Sequence, residues 1–332
     1  MNLTPLIELS RGGTLECVHF GAVALANRHG KLLAHAGDAH WLTFSRSTLK
    51  ALQSLPFMQA QGPTQFGFAS EQIAMLCASH NGEDSHVAQT QGMLEKAGLT
   101  TKALRCGCHV PGIFEATGTA PPVGAVYDER HNNCSGKHSG MLAACLALGL
   151  PTQGYATLEH PLQKQILEIM QHILETDDIG VAVDGCGVPC YRVPLHRAAL
   201  GFAHLAASDS LPSHQSGLEI AANTMQTHPY LIAGRDRIDT ALMQAVPSAV
   251  SKIGAEALIG VGVHSSSHGP LGIALKIEDG SERARDVAIH RILEELGVIG
   301  ADELLSYRAA PILGVAGNAV GAIQPAFDLI WA

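Results

Sequence analysis

Arg46-Ser47-Thr48-Leu49-Lys50 sets a serine three residues ahead of a lysine, and two later stretches, Ser79-His80-Asn81 and Lys252-Ile253-Gly254, follow it in chain order. On a helix, positions i and i+3 share a face with Cβ atoms about 5–6 Å apart, so a lysine amine there reaches a serine hydroxyl. Leucines at 49, 52 and 55 keep a helical spacing, which predicts one helix from Ser45 to Gln59, disturbed at Pro56, with Ser47 and Lys50 in its first turn. A serine hydroxyl is a weak nucleophile, and a lysine deprotonates it only where burial or a neighbouring cation lowers the amine's pKa. Leu49, Ala51, Leu52 and Leu55 would bury one side of this helix, and Arg46 supplies a nearby positive charge. Alone, S-x-x-K arises by chance on many solvated helix faces. The ordered set of three carries the weight.

The 332 residues suffice for one large domain or two modest ones. With 46% hydrophobic and 15% charged residues the chain has the make-up of a well-packed soluble globule. A net charge of -9 without any dense basic run argues against nucleic acid and anionic membrane surfaces as partners. Glu8, Arg11 and Glu16 interrupt the first thirty residues, and no window offers about eighteen apolar residues in a row, so a cytoplasmic location is expected. The eight cysteines, at 17, 77, 106, 108, 134, 145, 186 and 190, then read as reduced thiols.

Outward from the first motif, Leu15–Ala26 and Leu32–Ala36 read as two strands joined through Arg28-His29-Gly30-Lys31. Helices are expected at 70–78, 84–97, 135–148 and 158–174, with Gly98 closing the second. Residues 105–133 are irregular and rich in Gly, Pro, Cys and His, a length of loop that is often functional. Ile179–Val183 reads as a buried strand leading into Asp184-Gly185-Cys186-Gly187. Helices near 195–206, 215–226 and 237–245, strands at 257–263 and 271–277 and a last helix over 281–296 complete the pattern. Strands at both ends with helices between them suggest one sheet assembled from both ends of the chain.

The ordered set S-x-x-K, S-x-N and K-x-G is similar to that of the serine penicillin-recognising enzymes and the glutaminases that share their fold. Further segments narrow the likeness: Glu16-Cys17-Val18-His19-Phe20-Gly21, Gly37-Asp38, Ser79-His80-Asn81-Gly82-Glu83, Cys106-Gly107-Cys108-His109, Asn133-Cys134-Ser135-Gly136-Lys137-His138, Asp184-Gly185-Cys186-Gly187-Val188-Pro189 and Lys252-Ile253-Gly254-Ala255-Glu256. With these the chain resembles the asparaginase II family over nearly its whole length. The resemblance implies an α/β (α+β) fold of the serine β-lactamase/glutaminase-like kind, a central, mostly antiparallel sheet flanked by helices, as one domain over 1–332. It also implies hydrolysis of L-asparagine to L-aspartate and ammonia by a homodimer.

Carried over by residue, Ser47 pairs with Lys50 and Ser79 with Lys252. Ser47 is the favoured nucleophile because its lysine is fixed locally, whereas the partner of Ser79 is distant in sequence. A zwitterionic substrate asks for a cation at its carboxylate, for which Arg46 is the candidate, and a carboxylate at its ammonium, for which Glu83 or Asp184 could serve, with Asn81 beside them. Cys134 and Cys186 lie next to two hard donors, Lys137 and Asp184. Spacing alone reads as two reduced cysteines near a pocket, while the resemblance implies a zinc ion held by Cys134, Lys137 and Cys186. For Cys106-Gly107-Cys108, packing around a tight turn is the expectation, and His19, His80, His109 and His138 are expected to orient neighbours rather than act as bases. One departure stands out: after Lys252 the family reads Gly-Ala-Glu-Gly, and here the last of these is Ala257. Alanine would narrow or strain the site if that position needs a positive φ. Other readings are a glutaminase or another serine acyl hydrolase of the same fold, and a non-catalytic relative that binds metal or amino acid.

Overall fold

Thr14–Asn27 begins as an exposed ribbon and becomes fully buried at Gly21–Ala26, Gly-Ala-Val-Ala-Leu-Ala, where apolar side chains on both faces suit a strand covered from both sides. Around it a nine-stranded sheet forms in a computed structural model that describes residues 2–207 and 216–332. The strands are Thr4–Arg11 (β1), Thr14–Asn27 (β2), Leu32–Ala36 (β3), Ala249–Gly254 (β4), Leu258–Val263 (β5), Leu271–Ile277 (β6), Ala310–Leu313 (β7), Ala319–Pro325 (β8) and Ile330–Trp331 (β9). Their order is β7-β8-β1-β2-β6-β5-β4, with β3 paired to both β2 and β9, and every pairing is antiparallel. The expected sheet from both chain ends is thus present. Helices Leu195–Ala206 and Glu282–Glu295 pack on it, and β4, β5 and β6 are buried at every position.

The chain divides into two compact units, Met1–Thr48 with Val193–Ala207 and Ser248–Ala332, which holds this sheet, and Leu49–Arg192 with Ser208–Pro247, which is mainly helical. In the second unit the helix Ser135–Ala147 is buried from Ser135 to Cys145. Its Gly136, Gly140, Ala143 and Ala144 keep it slim enough to pass through a core, flanked by helices Ser70–Cys77 and Asp84–Lys96. The amphipathic helix Pro161–Ile173 buries Leu162, Ile166, Met170 and Ile173, four positions of its apolar stripe.

Two expectations need correction. The helix expected over Ser45–Gln59 begins only at Lys50: residues 50–53 and 55–59 are helical, while Thr48 closes a turn by donating its N–H to Ser45 O at 2.9 Å and its hydroxyl to the same oxygen at 2.7 Å. The leucine spacing is real, but Arg46 at φ 46° turns the chain before it can enter a helix. The strand near Ile179–Val183 forms as Gly180–Val183, yet it is half-buried at its start and exposed at Ala182 and Val183 rather than buried. Among the described residues, no helix is long and apolar enough to cross a membrane.

Candidate active site

Lys50, the first residue of its helix and only 1% exposed, is buried within the second unit. There Nζ donates to Ala78 O at 2.6 Å, Ser79 Oγ at 2.8 Å and Cys134 Sγ at 3.3 Å. Burial lowers the pKa of this amine, and the charge of Lys137 acts in the same direction while Cys134 opposes it. Ser47 and Lys50 do not share a helix. Sharing a face at i and i+3 requires both residues in one helix, but Ser47 sits in the preceding turn, and Lys50 spends its hydrogens on partners 28, 29 and 84 positions away.

Ser79 follows the helix Ser70–Cys77, which stops where Ala78 turns extended. The next residue, His80, is buried and held by its own tautomer. Gly82 N–H donates to its Nδ1 at 3.1 Å, so Nε2 carries the proton and donates to Ser135 Oγ at 2.9 Å. Ser135 in turn donates to Arg130 O at 2.9 Å. Burial holds the His80 pKa well below its ordinary value, so the imidazole stays neutral and acts as a brace. His138 is likewise buried and neutral, bonded through Nδ1 to the Tyr155 hydroxyl at 2.6 Å. Asn81 and Glu83 face the segment Pro229–Arg237 of the same unit.

Beside Lys50 lies a cluster of sulfur and oxygen donors. Cys134 Sγ, Cys186 Sγ and an Asp184 carboxylate oxygen all lie within 4.8 Å of one another. Cys186 Sγ donates to Asp184 Oδ2 at 3.1 Å, and Lys137 Nζ donates to Cys186 Sγ at 3.1 Å. A hydrogen bond from Cys186, aided by the charges of Lys50 and Lys137, holds the Cys134 thiol well below its usual pKa, while that same bond and burial push Cys186 up. Burial opposes the charge on Lys137, but Cys134, Cys186 and Asp184 together raise its pKa. Asp184, read as a substrate ligand, thus stands in this cluster. Cys106 is buried with Sγ near Glu129 O, Cys108 is exposed, and neither joins the cluster.

The first unit carries Arg46, Ser47 and Lys252. Ser47 is half-buried, and Arg46 takes a left-handed φ of 46°. Lys252 Nζ donates to Ile253 O at 3.0 Å. The glycine of the third motif has a steric reason: a Cβ on Gly254 would lie 2.9 Å from Ser45 O and 3.2 Å from Thr48 Cγ2, so only glycine lets β4 lie against the turn bearing Ser47. Ala257 has a φ of 55°, in the left-handed region that glycine takes freely and that costs an alanine roughly 1–2 kcal/mol. The strain expected of that departure from the family pattern is present.

Sequence reasoning had no functional signal for Tyr230, Arg235 or Arg237: the first two fall in no motif or periodic run, and Arg237 was read only as the start of a helix. Ser135 was legible only as a motif neighbour of Cys134.

The L-asparaginase II family matches residues 7–325. Among solved structures, the Bacillus subtilis glutaminase YbgJ in covalent complex with 5-oxo-L-norleucine aligns over 83% of this chain and 87% of its own, at 12% identity and a TM-score of 0.41. A Bacillus glutaminase crystallised in 4.3 M NaCl aligns over 84% and 92%, at 13% identity and a TM-score of 0.39. The protein Mglu in its native form aligns over 86% and 66%, at 16% identity and a TM-score of 0.43. A search among curated proteins finds no match.

Proposed function

Because the chain belongs to the L-asparaginase II family, it is an amidohydrolase, and we propose that it hydrolyses L-asparagine to L-aspartate and ammonia with Ser79 as nucleophile and Lys50 as its base. The observation that carries the catalytic part is the set of neighbours around one amine. A neutral lysine has two N–H bonds and one lone pair. The charged amine donates to Ala78 O, Ser79 Oγ and Cys134 Sγ; once neutral, it would keep its two hydrogens on Ala78 O and Cys134 Sγ and turn its lone pair to the Ser79 hydroxyl, 2.8 Å away. The buried environment that lowers the Lys50 pKa favours the neutral amine such a base requires.

As Ser79 Oγ bonds to the side-chain amide carbon of asparagine, its proton passes to Lys50 Nζ. The same proton then leaves with the departing nitrogen as ammonia, the aspartyl group remains esterified to Ser79, and a water releases aspartate. Arg46 is proposed for the substrate carboxylate by its charge. A second reading is favoured by exposure: Ser79 is 6% exposed whereas Ser47 is half-buried, and in that reading the acyl group forms on Ser47.

Zinc belongs to the same proposal. Two thiolates and a carboxylate are donors that zinc accepts, Lys137 could complete the set as a neutral amine, and the cluster gathers all of them from distant parts of the sequence. Bound there, zinc would supply a Lewis acid and balance the charge of the thiolates. This chain's residues would hold it with Cys134, Cys186, Lys137 and Asp184.

Release of ammonia from asparagine and from glutamine by the purified protein, with nitrocefin as a third substrate, tests the assignment. Turnover of asparagine well above the other two is expected. Preferential glutamine or nitrocefin turnover would reassign the substrate, and binding of asparagine without turnover would leave a binding protein.

A further inference from the structure

We propose that residues 229–237 form a clamp on the Ser79 loop, and that Arg237 is a positioning residue acting on Ser79 through Asn81. The catalytic half of this inference rests on Ser79 as the reacting serine.

Ser79 N–H donates to Ile232 O and Asn81 N–H to Ala233 O, each at 2.8 Å, so the loop lies along the segment as a short ladder. Side chains then lock the register. Asn81 Nδ2 donates to Arg235 O at 2.8 Å, and Arg237 Nη1 donates to Asn81 Oδ1 at 2.9 Å. Glu83 Oε1 accepts from Arg235 N–H at 3.0 Å, and its other oxygen accepts from the Tyr230 hydroxyl. The segment is anchored in turn: Thr240 Oγ1 donates to Gly234 O at 2.8 Å. Glu83 N–H donates to His86 Nδ1, which leaves His86 Nε2 to donate to Tyr230 O at 3.1 Å.

Asn81 is fully buried, and its carbonyl accepts from Ile113 N–H at 3.0 Å. Its backbone groups and its side-chain oxygen are therefore engaged within the protein. Both oxygens of Glu83 are engaged too. These two residues, read from the sequence as substrate ligands, hold the loop instead. The consequence is kinetic: a serine must stay at bonding distance from its lysine, and loss of about 1 Å of placement costs about 100-fold in rate.

The test compares Arg237→Leu, Arg237→Lys and Ser79→Ala in asparagine hydrolysis, with amide hydrogen exchange at Ser79 and Asn81. For Arg237→Leu, kcat should fall about 10- to 100-fold with KM within about 3-fold. The two amides should exchange about 10-fold faster or more. Arg237→Lys, which can still donate one bond to Asn81 Oδ1, should recover most of both. With Ser79→Ala inactive, an unchanged kcat in Arg237→Leu, or a loss confined to KM, overturns the inference. If Ser79→Ala keeps its turnover, the reading of Ser79 fails separately. Exchange then decides the clamp: faster exchange in Arg237→Leu supports it, and unchanged exchange overturns it.

Discussion

Replacing Gly136 with alanine would strike the joint between the donor cluster and the serine–lysine pair. Gly136 lies between Cys134 and Lys137, and a Cβ there would stand 2.3 Å from Met75 O and 3.0 Å from both the carbonyl carbon and Cβ of Met75. A carbon–oxygen contact settles near 3.3 Å, so the two helices must part by about 1 Å. No rotamer change relieves this, because the obstacle is backbone. Met75 O also accepts from Ala78 N–H at 3.2 Å, the bond that ends the helix just before Ser79. Separation should therefore cost about 1–3 kcal/mol of stability, as overpacking does. It should also open the Lys50–Cys134 and Lys50–Ser79 contacts enough to lose about 100-fold in kcat/KM. Gly140→Ala on the same helix is the comparison. Its Cβ would meet the Cδ2 end of Leu76 at 1.8 Å, a side chain that can turn aside, so kcat/KM should stay within about 5-fold of wild type. Thermal unfolding and steady-state ammonia release read both variants. A Gly136→Ala protein with wild-type melting and turnover would refute the reasoning.

Lys50→Arg keeps the charge but cannot lose its proton, so it should lose about 10²- to 10⁴-fold in kcat, as much as Lys50→Met; turnover near wild type would remove the general-base role. Elemental analysis should find about one zinc per chain in the wild type and close to none in Cys186→Ser, with a lower melting temperature. Equal metal in both proteins would show that the cluster is not the ligand set. Arg46→Ala should raise KM for asparagine about 10- to 100-fold with little change in kcat, the expected cost of a bond to a charged group. An unchanged KM would exclude Arg46 from the substrate site.

Much of this architecture is legible in the sequence because local chemistry agrees with the final packing. The β2–β3 hairpin shows as two apolar runs around a glycine turn, and helices 70–77, 84–96, 135–147 and 161–173 show as apolar periods with breakers near their ends. β4 is harder to see because Ser251 and Lys252 interrupt a strand that is buried throughout. β7 and β8 have too little apolar alternation to register, since most of their residues are at least partly exposed.

At the site, the residue types were readable and their partners were not. Lys50 stands out as a motif lysine, but its contact with Ser79 depends on where a helix end 29 positions away comes to lie. Cys134, Lys137 and Cys186 were read as a group through the family resemblance, whereas Asp184 was read as a substrate ligand and lies beside the two thiols. The engagement of Asn81 and Glu83 by residues about 150 positions downstream was not foreseen, because no spacing rule links a loop to a strap so far along the chain.

The measurement that bears most directly on the central claim is the site of covalent attack. An asparagine analogue with a diazoketone in place of the side-chain amide would alkylate the reacting serine, and peptide mass mapping would locate it. Label on Ser79, blocked by L-aspartate and absent from Ser79→Ala and Lys50→Met, is the expected result. Label on Ser47 with Ser79 unmodified would contradict the account.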